Sequence, residues 1–486
     1  MRWWFVGAGL AVVGCSPEPE VIDIDPGQVS DIVRIADGPR SNQRVIEVSL
    51  AEPEDVAVLC VANHDPEERI LVESTMAAEH VVRLSGLRPE ATYRCRVATP
   101  DGVEVFDLVI GPAPVPFTPM QTTIDPELGM TGAWTLMVRP GVGTDHSWLV
   151  IYDALGEARW WHALPQPYQS VEALYHPEDD TIVWGGGDRG VQDGYPGVVS
   201  LWQGEQRIEV PGFDTLRFHH DGVRLDDGRF VTLETVPNRL GEQEWAGFQV
   251  RVHDPVDQTV DFAFHSQRYV DEGILRVPPP GRKDPYHANW MDYVETDDGP
   301  VLYVSLCLSW TMLAIDGLTG DLIWEFRRDR DWTVLDETGA DVGEDILPQC
   351  QHGVEVDGDR FWLYDNGRSR EFSSADLWQI DGDARVARRL HHWTEAGWHD
   401  RELGDIDVLS EDRIFLTQGR IGGEKENTEL VEVDLPTGRV ASRQRFLENG
   451  RGYRAERLDG CDLFDRVDNC PALQERLDTL SNVFVD

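Results

Sequence analysis

Three short strings hold the residues best suited to chemistry: Phe218-His219-His220-Asp221, Tyr286-His287-Ala288-Asn289 and Gln351-His352-Gly353-Val354. An imidazole near its ordinary pKa of about 6.5 is both a nucleophile and a proton carrier at neutral pH. Taken singly, each reads as a buried histidine bonded to a backbone carbonyl. Their recurrence ahead of a hairpin, roughly 65 residues apart, makes them a constellation, because equivalent positions on successive repeats of a closed ring point at one axis. Other strings weigh less. Gly185-Gly186-Gly187-Asp188 follows a strand but precedes no helix, so it is not a dinucleotide loop. His391, His392 and His399 have no paired hairpin or cysteine and read as solvated loop rather than metal ligands. Glu178-Asp179-Asp180 lacks the glycine-bearing spacing of a calcium loop. No cofactor and no metal are expected.

A repeating chain would bring histidines so far apart to one axis. A strand running into an acidic or polar turn and then a second strand recurs at Tyr152-Asp153, Leu201-Trp202, His253-Asp254, Ile315-Asp316, Ile380-Asp381 and Val433-Asp434. Intervals of about 50 to 65 residues, with strands and no helical periodicity, are those of a four-stranded propeller blade. A second hairpin series interleaves, at Asp226-Asp227-Gly228, Glu295 to Leu302, Asp357-Gly358-Asp359 and Leu409 to Phe415. Two turns per period fit two hairpins per blade, so the expected fold is all-β, with six blades over 120–455. The 17 tryptophans, Trp160, Trp202 and Trp324 among them, are expected to pack between blades.

Upstream, residues 29–111 alternate in short strands at sandwich spacing. The string Leu87-Arg88-Pro89-Glu90-Ala91-Thr92-Tyr93, with Cys95 two residues on, resembles the tyrosine corner of a fibronectin type III or immunoglobulin-like sandwich. Pro112, Pro114, Pro116 and Pro119 mark a stiff linker over 112–119, and 456–486 reads as a tail clipped by Cys461 and Cys470. At the start, Met1-Arg2, a short apolar run and Val12-Val13-Gly14-Cys15 resemble a bacterial lipobox. That implies a signal peptide over 1–14, lipid on Cys15, a tether over 15–28, and a lipoprotein held to a membrane of the cell envelope on its periplasmic or outer side. Six further cysteines suggest disulfides, with proximity favouring Cys60–Cys95, Cys307–Cys350 and Cys461–Cys470. With 88 acidic against 43 basic side chains, the net charge is −45, which argues against nucleic acid as a partner. At 41% hydrophobic and 27% charged, that acidity belongs to a folded surface rather than a disordered tail.

The histidine strings and their hairpins resemble the periplasmic arylsulfate sulfotransferases over roughly 120–455, the most specific match being Asp365-Asn366-Gly367 at the end of the third hairpin. The resemblance implies a six-bladed propeller that moves a sulfuryl group from a phenolic sulfate ester to another phenol. It implies His352 as the nucleophile, through a sulfohistidine, with His219 or His220, His287 and Asn289 contacting the sulfuryl or phenolic oxygens. The family carries an arginine on the strand that here reads Val304-Ser305-Leu306-Cys307, and Cys307 stands in its place. Either Arg217, Arg368 or Arg370 supplies the cation, or the propeller no longer transfers sulfate and serves as a surface lipoprotein that binds protein or glycan. A quinoprotein-type oxidoreductase is disfavoured by the histidines.

Overall fold

The computed structural model describes residues 33–484, apart from 100, 140–146, 165–169, 188–194, 203–204, 208–217, 329, 420–426, 447–451, 462 and 481–483. The expected signal peptide, Cys15, the tether and Arg217 lie outside the described residues. The chain divides into two compact units, Met1–Pro112 with Glu475–Asp486, and Ala113–Gln474.

The first unit is a sandwich built on one long hairpin, Arg44–Ala62 with Asp65–Leu84. Its register breaks between Ser49 and Val56, around Pro53, where residues 51–55 are exposed, so the two halves of the hairpin serve different layers. The near half pairs with Val33–Asp37, and the far half with Thr92–Thr99, which in turn pairs with Gly102–Val109. Alternate side chains from both layers, including Ile46, Val48, Val58, Val82, Val97 and Phe106, form one core. Period-two alternation dictates this, since each strand can bury only one face. Cys60 and Cys95 sit directly opposite and are bonded. The Tyr93 hydroxyl accepts from the Arg88 backbone N–H at 2.9 Å and donates to buried Glu68, closing the corner that the sequence spells out.

The second unit is a ring of six sheets. Numbered by their innermost strands, blades 1 to 3 start at Ser170–His176, Phe218–Arg224 and Ala288–Thr296. Blades 4 and 5 start at Gln351–Asp357 and Asp405–Ser410, and blade 6 at Ala455–Leu458. The six turn copies of the sequence all fall between the third and fourth strands of a blade. Blade 6 is made from both chain regions, its innermost strand Ala455–Leu458 pairing with Trp134–Arg139. Blade 5 takes Met120–Ile124 as an added outer strand. The expected end of the propeller at 455 therefore needs correction: Glu456, Arg457 and Leu458 are blade residues, not tail. Beyond Leu458, Cys461 and Cys470 are bonded as expected, and a helix, Pro471–Leu480, takes the place of a plain clipped appendage.

Interblade cores are aromatic. Trp160 of blade 6 packs with Tyr175 and Trp184 of blade 1, its Nε1 donating to Leu201 O at 3.3 Å. Trp324 of blade 3 stacks on Phe361 of blade 4, with ring centroids 6.4 Å apart. Burying such rings removes 150–250 Å² of surface each, about 25 cal/mol per apolar Å², so blade contacts outweigh any single pairing bond. The proline-marked segment is not a free spacer. Phe117 lies edge-on to Trp148 at 5.6 Å and packs against Trp161 of the same unit.

Candidate active site

The site forms where innermost strands begin. His220 and His287 have φ of 69° and 51°, and Cys350 and Gly353 have 62° and 46°. Each lies at or beside a register shift: between Phe218 and Gly222, Ala288 and Trp290, and His352 and Val354. Left-handed residues with bulges at strand starts re-aim side chains, and such strain collects at functional sites. The consequence is convergence. The His219 and His220 rings are 4.1 Å apart, His219 and His287 5.4 Å, and His220 and His287 4.9 Å. His220 also stacks on Tyr453 at 5.8 Å, and His352 meets the same tyrosine at 6.1 Å.

Hydrogen bonds fix the ring states. The Asn366 Nδ2 donates to Asp400 O at 2.8 Å and Leu403 O at 2.7 Å, which turns its Oδ1 to His352 Nδ1 at 2.5 Å. An acceptor oxygen there requires Nδ1 to carry the proton, so the lone pair of His352 is on Nε2. Burial pushes the His352 pKa down to about 3, against the pull of Asn366, and the ring is neutral. His219 Nδ1 bonds Ala288 O at 2.9 Å, and His287 Nδ1 bonds Asp284 at 2.6 Å. Burial lowers His219 to about 4 and His220 well below its ordinary value, with neighbouring rings adding to the effect.

The expected residues thus come together, with changes of role. One amide hydrogen of Asn289 is engaged by Gln351 O at 2.8 Å, so Asn289 ties blade 3 to blade 4. Cys307 begins a short 3-10 turn rather than continuing its strand, and it is bonded to Cys350. Cys350 is left-handed and precedes the strand, so strand alternation does not relate its side chain to that of His352. Arg370 is paired with Asp365, and Arg368 reaches Cys350 Sγ at 3.8 Å.

One cation that lines the channel, Arg454, has no counterpart among the residues expected from sequence. It is 4% exposed and reaches across the axis from blade 6 to donate to Asn289 O of blade 3 at 2.8 Å, with Asp221 at 3.6 Å and Asp405 at 3.9 Å. Its signal was position, since Tyr453-Arg454 stands at the start of the sixth innermost strand as the histidines stand at the start of theirs. Asn366 was legible as a motif but not as the group that orients His352.

Beyond the histidines the channel is acidic. A cavity of about 210 Å³ is lined by Asp221, Asp292, Glu355, Asp405, Asp407 and Glu456 together with Arg454. Burial, reinforced by neighbouring carboxylates, raises Asp292 to about 6, Asp405 to about 7, and Glu355 and Glu456 to about 8. A carboxyl raised in the fold stabilises it below its ordinary pKa and loses that contribution as pH climbs through the raised value. Glu456→Gln keeps an acceptor for the Tyr175 N–H and cannot ionise. Its melting temperature should match the parent at pH 4.5 and exceed it by about 2–4 °C at pH 8.5, the equivalent of roughly 1 kcal/mol in a large domain. A scanning-calorimetry difference that is flat with pH would contradict the raised value.

No protein-family model and no curated protein sequence matches the chain. Among solved structures it is similar to TolB from Acinetobacter baumannii, at 9% identity and TM-score 0.38, covering 76% of this chain and 80% of that one. It is also similar to a hypothetical selenium-binding protein from Sulfolobus tokodaii, at 10% identity and TM-score 0.40, covering 83% and 93%. A quinonprotein alcohol dehydrogenase-like protein from Bacteroides thetaiotaomicron follows at 10% identity and TM-score 0.36, covering 92% and 99%. Scores of this size leave the order of the six sheets as the ground for the propeller.

Proposed function

We propose that the propeller is a nucleotide-independent aryl-sulfate sulfotransferase with His352 as nucleophile. The observation that carries this is the Asn366 bond, which keeps the proton of the buried, neutral His352 ring on Nδ1 and leaves its lone pair on Nε2. Nε2 attacks sulfur, the S–O(aryl) bond breaks, and the phenolate leaves with a proton from the His220–His287 pair, one ring of which must enter the step as an imidazolium. The sulfohistidine then gives the group to a second phenol, whose proton returns to the same imidazoles. Arg454 takes the place expected of an arginine at Cys307, acting on the site as a fixed positive charge. The sandwich is of fibronectin type III kind, and Cys15 lipid holds the protein to the bacterial cell envelope.

The acidic lining and the disulfide at the expected arginine favour a second reading, a non-catalytic lipoprotein that binds protein or glycan. The full-length chain incubated with a chromogenic aryl sulfate and a phenol acceptor decides between them. Acceptor-dependent release of the coloured phenol, with a sulfuryl increment on the His352 peptide, is expected. No release and no increment across several donors would leave the binding reading.

A further inference from the structure

We infer that His219, His220 and His287 form a binding site for one zinc ion at the channel mouth. One ring nitrogen from each lies within 4.8 Å of the others. His220 Nε2 and His287 Nε2 are 3.2 Å apart, close to the roughly 3.3 Å that separates two ligands on a tetrahedral zinc with bonds of about 2.0–2.1 Å. The anchoring of the rings suits an ion better than it suits a bare pair of imidazoles. His287 gives its Nδ1 to the Asp284 carboxylate and His219 gives its Nδ1 to the Ala288 carbonyl, so both present Nε2. That carboxylate or carbonyl on the far nitrogen is the outer-shell pattern that orients zinc-binding histidines and raises their basicity.

The three residues come from two adjacent blades, and the bulges at His220 and His287 aim them inward. Three histidines leave a fourth position open, and Tyr453, which contacts both His220 and His352, lies beside the cluster. The other close His/Cys group, Cys307, Cys350 and His352, is closed to an ion because its sulfurs are bonded to each other. The binding itself stands on this geometry alone. Its consequence rests on the sulfuryl-transfer reading: an ion at the open position would meet the sulfate oxygens with the positive charge that the Cys307 replacement removed and, because zinc-bound imidazoles cannot carry the phenolic proton, would stabilise the leaving phenolate in their stead.

The test is titration of the chelator-stripped full-length chain with zinc against a competing chromophoric chelator, followed by transfer assays of stripped and loaded protein. One equivalent should bind. Asp284→Asn should weaken binding about 10- to 100-fold, and His287→Ala by more than that, with His391→Ala unchanged. Far-ultraviolet circular dichroism of each variant matching the parent excludes misfolding as the cause, and His220→Ala serves if His287→Ala does not fold. Absence of stoichiometric binding, or binding that His287→Ala and His220→Ala leave intact, overturns the site. Zinc binding without sulfuryl transfer keeps the site and removes the transfer reading, whereas transfer by a chain that binds no zinc does the reverse.

Discussion

Under the proposed sulfuryl transfer, alanine at His352 will reduce the rate by roughly 10,000-fold or more, the scale on which removing a catalytic nucleophile falls. The loss should appear in kcat, with donor binding little changed and no sulfuryl increment on any peptide. Asn366→Leu separates holding the ring from being the nucleophile. It keeps the imidazole but removes the oxygen that sets its tautomer, and a wrongly held histidine costs up to about 10,000-fold elsewhere. Partial activity is expected there, with the loss in kcat rather than in donor binding, because the ring stays neutral but is no longer held with its lone pair on Nε2. Transfer by His352→Ala at more than a tenth of the parent rate would rule out His352 as the nucleophile.

Arg454→Met will be the most destabilising single change in the channel. The guanidinium is buried among Asp221 and Asp405 and bonds Asn289 O across the axis. Removing one partner of a buried ionic group strands the other charges, at about 3–5 kcal/mol. The sign with pH is set by Asp405, whose pKa is already raised to about 7 and which Arg454 holds down. Without the arginine it is raised further, so the penalty is largest above pH 8 and shrinks toward pH 5, where the carboxyl is neutral. Urea unfolding at the two pH values measures this, and an equal loss at both would refute the coupling. Arg454→Lys should not restore transfer, since a point ammonium does not reproduce the guanidinium's planar fork of donors.

The parts of this architecture readable in the sequence are those that local chemistry dictates. Asp153, Asp254, Asp316, Asp381 and Asp434 begin tight turns because a short carboxylate bonds the amides just after it, as Asp316 does to Leu318 and Thr319. The tyrosine corner is likewise a string of neighbours, and Cys60–Cys95 joins strands that pairing sets side by side. What was hidden is what depends on closure. Blade 6 draws its innermost strand from a distant part of the chain, so its boundary at 455 and its Tyr453-Arg454 pair had no period to mark them. The backbone reversals at His220, His287 and Cys350 leave no trace in residue type, since none is a glycine, and the faces of those side chains could not be read from alternation.

The joining of Trp134–Arg139 with Ala455–Leu458 also has a temporal meaning. A chain emerging from a ribosome or a translocation channel has made His219, His220, His287 and His352 long before it makes Tyr453 and Arg454. Until the last innermost strand arrives, the acidic lining lacks the counter-charge of Arg454 and the ring is an open arc with two raw edges. The pocket is therefore completed in the same event that seals the ring. Nascent or C-terminally truncated chains are poor candidates for premature chemistry and good candidates for capture by chaperones.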